Sequence, residues 1–228
     1  MLFRGTHITQ ASGSLAGATY SHNRGGSYIR ARATPVNSNT VQQQIIRTFF
    51  SGAQAAWLTD LTVAQRAAWD VYALGTPLTN AIGAAVNVGG KGMYTRGYVP
   101  RRQAGFAQVN PGPATTGLPE LTMPGITSLT AATGVAIVTF DPADAWAIAV
   151  GGALLMYSSR PVAASINYFK GPYRFAGKVS GAVSPPASPQ NITTPFPLIA
   201  GQKVFVRFVA ITPDGRLSAD ARFSVSAV

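Results

Sequence analysis

The stretch Lys203-Val-Phe-Val-Arg-Phe-Val-Ala-Ile-Thr-Pro-Asp-Gly-Arg-Leu-Ser-Ala-Asp-Ala-Arg-Phe-Ser-Val-Ser-Ala-Val228 decides the fold class. Apart from Lys203 and Arg207, its first nine residues are β-branched, aromatic or alanine, which suits a half-buried pleated surface. Pro213-Asp214-Gly215 is a turn signal, and Ala221 to Val228 supply the returning strand. The same grammar repeats upstream: Val135, Ile137 and Thr139 alternate with Ala136, Val138 and Phe140. Ala153 to Ser158 is a buried run, and Tyr173, Phe175, Gly177 and Val179 mark another strand. Asp141-Pro142, Gly151-Gly152 and Lys170-Gly171-Pro172 punctuate the series. Residues 123–228 therefore read as an all-β sandwich of six or seven strands over about 100 residues.

Upstream the period changes. Ser38, Asn39 and Thr40 offer helix N-caps, after which Val41, Ile45, Phe49, Ala53 and Trp57 recur every four residues, with Ile46, Phe50 and Ala56 on a flanking line. Leu58 to Leu61 breaks the pattern, and Thr62 with Gln65 three residues on forms a capping box for a second helix from Val63 to Leu74. Its apolar positions are Ala64, Ala68, Val71 and Tyr72, with Trp69 alongside, and Gly75 and Pro77 stop it. Residues 38–75 are thus expected as an antiparallel α-hairpin, which Gly52 would let close tightly. Residues 76–122 have little periodicity; Gly83, Gly89, Gly90, Gly92, Gly97, Gly105 and Asn110-Pro111-Gly112-Pro113 mark a Gly/Pro-rich connecting segment, with at most a turn or two of helix between Tyr94 and Arg102 because of Pro100. Residues 1–37, with five glycines and Pro35, form an extended basic arm. Two short strands about an Asn23–Gly26 turn are expected in it, ordered against a partner because the arm has too little apolar surface of its own. The whole is an α+β multidomain chain: arm, α-hairpin, connection and sandwich.

Composition sets the chemistry. The chain has 228 residues, 46% of them apolar, enough to bury a core, and no cysteine, which excludes disulfide scaffolds, thiolate zinc sites, iron–sulfur clusters and cysteine nucleophiles. Eighteen basic residues oppose seven acidic ones, for a net charge of +11. Residues 1–110 hold ten basic side chains against Asp60 and Asp70, and fourteen of the eighteen cations are arginine, suited to bidentate contacts with carboxylate or phosphate. No apolar run reaches the length of a signal peptide or a membrane span, so a protein made in the cytoplasm, with no membrane partner, is expected.

No reaction is spelled out. His7 and His22 lack helical metal-ligand spacing and a companion carboxylate, no nucleophile elbow accompanies His22 and Asp60, and Asp141 and Asp144 read as turn caps. Gly89-Gly90-Lys91-Gly92 lacks phosphate-loop spacing. No catalytic residue, metal or cofactor is expected. Two cation–aromatic constellations stand out as partner-interface candidates: Tyr20, Arg24, Tyr28, Arg30 and Arg32 in the arm, and Tyr94, Arg96, Tyr98, Arg101 and Arg102 in the connection. Both suit an acidic protein surface, with Tyr and Arg as anchors, or phosphates with stacked bases.

The arm sequence Gly13-Ser-Leu-Ala-Gly-Ala-Thr-Tyr-Ser-His-Asn-Arg-Gly-Gly-Ser-Tyr-Ile-Arg-Ala-Arg-Ala-Thr-Pro-Val-Asn37, with Leu61-Thr-Val-Ala-Gln-Arg-Ala-Ala-Trp69, resembles virion-associated proteins encoded in tailed-phage and prophage gene clusters. Val204 to Val228 looks like the last hairpin of a fibronectin type III or Ig-like domain. The resemblance implies a non-enzymatic virion structural protein, a head-associated decoration or minor capsid protein anchored by its N-terminal half to capsid, neck or tail subunits, or else a neck or tail component. Self-association is compatible with it. A genome-associated nucleic-acid-binding protein is a second reading, and a carbohydrate-adhesive module using Trp146 and Tyr168 a third.

Overall fold

The structure, a computed structural model, describes residues 11–23, 26–80 and 83–228. Among these the elements are β1 (Gly13–Leu15), β2 (Ala18–Asn23), β3 (Gly26–Ala31), α1 (Val41–Thr59), α2 (Val63–Leu74), β4 (Leu78–Thr79), β5 (Ala85–Val86), α3 (Gly89–Gln103), β6 (Gly125–Leu129), β7 (Val135–Thr139), β8 (Ala153–Ser158), β9 (Arg174–Ser180), β10 (Gln190–Thr193), β11 (Lys203–Ile211) and β12 (Ala221–Ser226). The fold is mixed α+β, with every sheet antiparallel. No described helix is long and apolar enough to cross a membrane. The chain divides into two compact units, Met1–Gln43 and Gln44–Val228.

In the first unit β1, β2 and β3 form a three-stranded sheet, one strand more than the sequence suggests. The β2–β3 register runs from Ala18↔Ala31 to Asn23↔Gly26, and the expected turn between them falls on residues 24–25, outside the described residues. Side chains alternate across the sheet, so Leu15, Ala18, Tyr20 and Ile29 share one face while Thr19, Ser21, Tyr28 and Arg30 share the other. No described side chain between residues 11 and 43 is buried.

In the second unit the capping box at Thr62 forms as the sequence requires: Gln65 N donates to Thr62 Oγ1 at 3.2 Å and Thr62 N to Gln65 Oε1 at 2.9 Å. At the start of α1, in the first unit, Thr40 and Gln43 make the same reciprocal pair. Both expected helices form, and α2 also packs against a third helix, α3. Ala53, Ala56, Trp57, Leu61, Trp69, Tyr72, Ala73, Met93 and Tyr94 from all three helices form one core. Val71, expected inside, is exposed; its neighbours Trp69, Tyr72 and Ala73, at i, i+3 and i+4, carry the buried stripe.

The long structureless connection is corrected as well, since α3 spans fifteen residues of it. Its glycines and Pro100 argue against a helix, and tertiary contacts outweigh them. Pro100 lies in the last turn, where it costs one backbone hydrogen bond. Gly90 abuts the backbone of Trp69 and Asp70 in α2, and a Cβ on Gly97 would collide with the Gly215 carbonyl. The glycines serve as contact points between backbones. Gly215 itself holds φ +86 in the turn between β11 and β12, a conformation that favours glycine.

The β region contains a three-stranded sheet, β10-β7-β6, and a four-stranded sheet, β12-β11-β8-β9. Leu129, Val138 and Ile192 from the first and Leu154, Met156, Val206 and Phe208 from the second share one core with Phe140 and Trp146. The opposite face of β8 and β11, bearing Leu155, Tyr157, Val209 and Ile211, is covered by Ala104 and Phe106 just after α3. Helices and sheets therefore share cores within Gln44–Val228, across the boundaries expected at residues 75 and 122.

Candidate interaction surfaces

The second constellation turns inward. Tyr94 is 2% exposed and packs its ring against Trp57, Trp69 and Tyr98. Burial pushes its hydroxyl well above the usual tyrosine range, with smaller contributions from Tyr98 and Asp60. Arg101 is buried and donates from Nε to Ala107 O at 2.7 Å and from Nη1 to Gly151 O at 3.1 Å and Thr212 O at 3.2 Å. Arg96 donates through both terminal nitrogens to Leu217 O and Ser218 O at 2.7 Å each. Desolvation lowers both guanidinium pKa values, and both groups remain cations at any ordinary pH. These arginines bind the last turns of α3 to the turn between β11 and β12. Tyr98, half-buried, lies against Gly52 of α1. As partner anchors Tyr94, Arg96 and Arg101 are corrected: five carbonyls and a helical core already occupy them. Of this group Arg102 alone is exposed.

The Tyr94 hydroxyl finds no hydrogen-bond partner among the described residues. Tyr94→Phe is therefore expected to leave stability unchanged or raise it by about 1 kcal/mol, because a buried polar atom without a partner carries a desolvation penalty. Denaturant melts of the two proteins check this. A clear loss of stability would mean that the hydroxyl is hydrogen-bonded in solution.

The first constellation stays outside. Tyr28 and Arg30 share one face of the arm sheet, whereas Tyr20 pairs with Ile29 on the opposite, more apolar face. Arg30 and Arg32 are exposed. Arg24 and His7 lie outside the described residues. Among the described residues of this cluster, Tyr20 is thus set apart from Tyr28 and Arg30.

Helix α1 adds a surface that the sequence had assigned to a core. Ala53, Ala56 and Trp57 are buried as expected, but Val41 is 69% and Phe50 54% exposed, with Ile45 and Ile46 also open. Only the C-terminal half of the predicted face finds helical neighbours. Beside Phe50 lies an open groove of about 640 Å³ between α1, β4 and α3, bounded by Leu78, Val88 and Lys91. Lys91 and Gly92, which line it, belong to the Gly89-Gly90-Lys91-Gly92 stretch that lacks phosphate-loop spacing and gives no sequence signal for a groove.

The remaining candidates resolve simply. Asp141 Oδ1 accepts from Ala143 N at 2.8 Å, the turn cap expected of it. Asp144 Oδ2 accepts from Thr122 N and Trp146 Nε1, each at 3.0 Å. Trp146 is fully buried, which corrects its reading as a sugar platform; Tyr168 is exposed. Among the described residues no group of histidine and carboxylate side chains could hold a metal ion. No family model, curated protein or solved structure matches this chain.

Proposed function

We propose that the chain is a non-enzymatic structural protein of a tailed-phage virion, a head-associated decoration or minor capsid protein whose N-terminal half makes the subunit contacts. The observation that carries this reading is the exposed apolar face of the first half of α1. The arm sheet buries no described side chain, and the first half of α1 holds Val41, Ile45, Ile46 and Phe50 in water. Exposed apolar patches of this kind mark protein interaction sites. A neck or tail location would use the same surface.

We further propose that residues 123–228 are a fibronectin type III or Ig-like sandwich. Seven strands over about 100 residues, in sheets of three and four with three crossings between them, support this assignment. The two-sheet unit would then be the part left free on the particle.

Binding to the genome is the weaker reading, because Arg96 and Arg101 spend donors on carbonyls that phosphate would need. The distinguishing experiment washes DNA-emptied particles at roughly 1 M salt, where the Debye length is about 3 Å and surface ion pairs are screened. Retention of the protein is expected. Its release, with tight low-salt binding of the free protein to duplex DNA, would favour the genome-binding reading.

A further inference from the structure

The groove between α1, β4 and α3 has an apolar floor and a cationic rim. Phe50, Leu78 and Val88 supply the floor, with Phe50 54% and Val88 44% exposed. Lys91 and Arg96 supply the rim, and no carboxylate lines it. Gln54 and Thr95 hydrogen-bond to each other at 3.1 Å, so these polar side chains are already matched. Lys91 is exposed and makes no ion pair among the described residues. Ile46 and Phe50, four residues apart, stack on one face of α1, which extends the apolar strip beyond the groove.

Charge selects the occupant. Residues 1–59 carry five arginines and no acidic residue, and the chain's net charge is +11. A second copy would bring like charge to a rim that already holds two cations. Duplex DNA brings negative charge, but its phosphates offer nothing to cover Phe50, Leu78 and Val88. We propose that this groove docks an acidic, amphipathic segment of a partner protein, with apolar side chains on the floor and a carboxylate at Lys91. Arg96, whose donors are held by Leu217 and Ser218, contributes field, and Lys91 contributes the hydrogen-bonding head. This deepens the assembly reading and rests on it only in taking the occupant to be a protein.

The probe is a fluorescein-labelled helical peptide of about 18 residues, with leucine at i, i+3, i+4 and i+7 and glutamate at most other positions. Anisotropy titrations of the full chain compare it with a lysine-for-glutamate version, with polyglutamate of equal charge and with a short DNA duplex. The Leu/Glu peptide is expected to bind more tightly than all three. Phe50→Ser and Lys91→Glu should each weaken it about tenfold without changing the melting temperature, because both side chains are exposed, and Phe50→Leu should restore it. Equal or tighter binding of polyglutamate or duplex DNA, indifference of the peptide to both substitutions, or no binding at about 1 mM peptide would overturn the proposal. Absence of the protein from purified particles would end the virion reading and leave the peptide result standing. Normal incorporation of both variants, with no peptide binding, would end the groove proposal alone.

Discussion

Arg101→Ala is expected to lower the unfolding free energy by about 3 kcal/mol, because three carbonyls lose a charged donor and at least one of them is buried. The guanidinium also stands 5.3 Å from the centre of the Phe106 ring, so its removal loosens the segment that covers the outer face of β8 and β11. Arg101→Lys should recover little of the loss, since one ammonium cannot reproduce a planar fork aimed at three acceptors. Equilibrium urea melts read the effect. A loss below about 0.5 kcal/mol, the range of ordinary surface substitutions, would mean that Arg101 is not the structural tie described here.

Gly97→Ala is expected to cost as much or more, from the opposite cause. The added methyl meets the Gly215 carbonyl, and backbone on both sides leaves no flexible side chain to yield. Overpacking at such a contact costs about 1–3 kcal/mol and more where neither partner can move. Gly215 is held by its turn, in which Arg216 and Asp214 form an ion pair at 2.8 Å. Since Gly97 and Arg101 secure the same seam between α3 and the β11–β12 turn, the double variant should lose clearly less than the sum of the single losses. Full additivity would show that the two contacts act independently.

These contacts also show where sequence reading succeeds. The strands β7, β8, β11 and β12 were legible because alternation and turn residues are local properties, and the Thr62–Gln65 capping box could be placed to the residue for the same reason. Strands β6 and β10 were missed: Gly125-Ile-Thr-Ser-Leu and Gln190-Asn-Ile-Thr carry few apolar residues and take their pairing from β7. Helix α3 is legible only as a turn or two between Tyr94 and Arg102, because glycine and proline count against a helix in isolation, while Gly90 and Gly97 fit only against Trp69, Asp70 and Gly215, which are distant in sequence. The candidate site fared similarly. Tyr28, Arg30 and Arg32 could be read as a basic ribbon, but nothing local distinguishes Arg101, committed to Thr212 and Gly151, from its exposed neighbour Arg102. The open half of α1 was invisible for a related reason: periodicity reports an apolar face, and only the fold reports whether anything covers it.

The most direct measurement of the virion proposal is quantitative mass spectrometry of gradient-purified tailed-phage particles from the cells that produce the chain. The account predicts the protein in a fixed ratio to the major capsid subunit, retained in tailless heads. Its confinement to the soluble fraction of the lysate, with particles complete and infectious without it, would contradict the account.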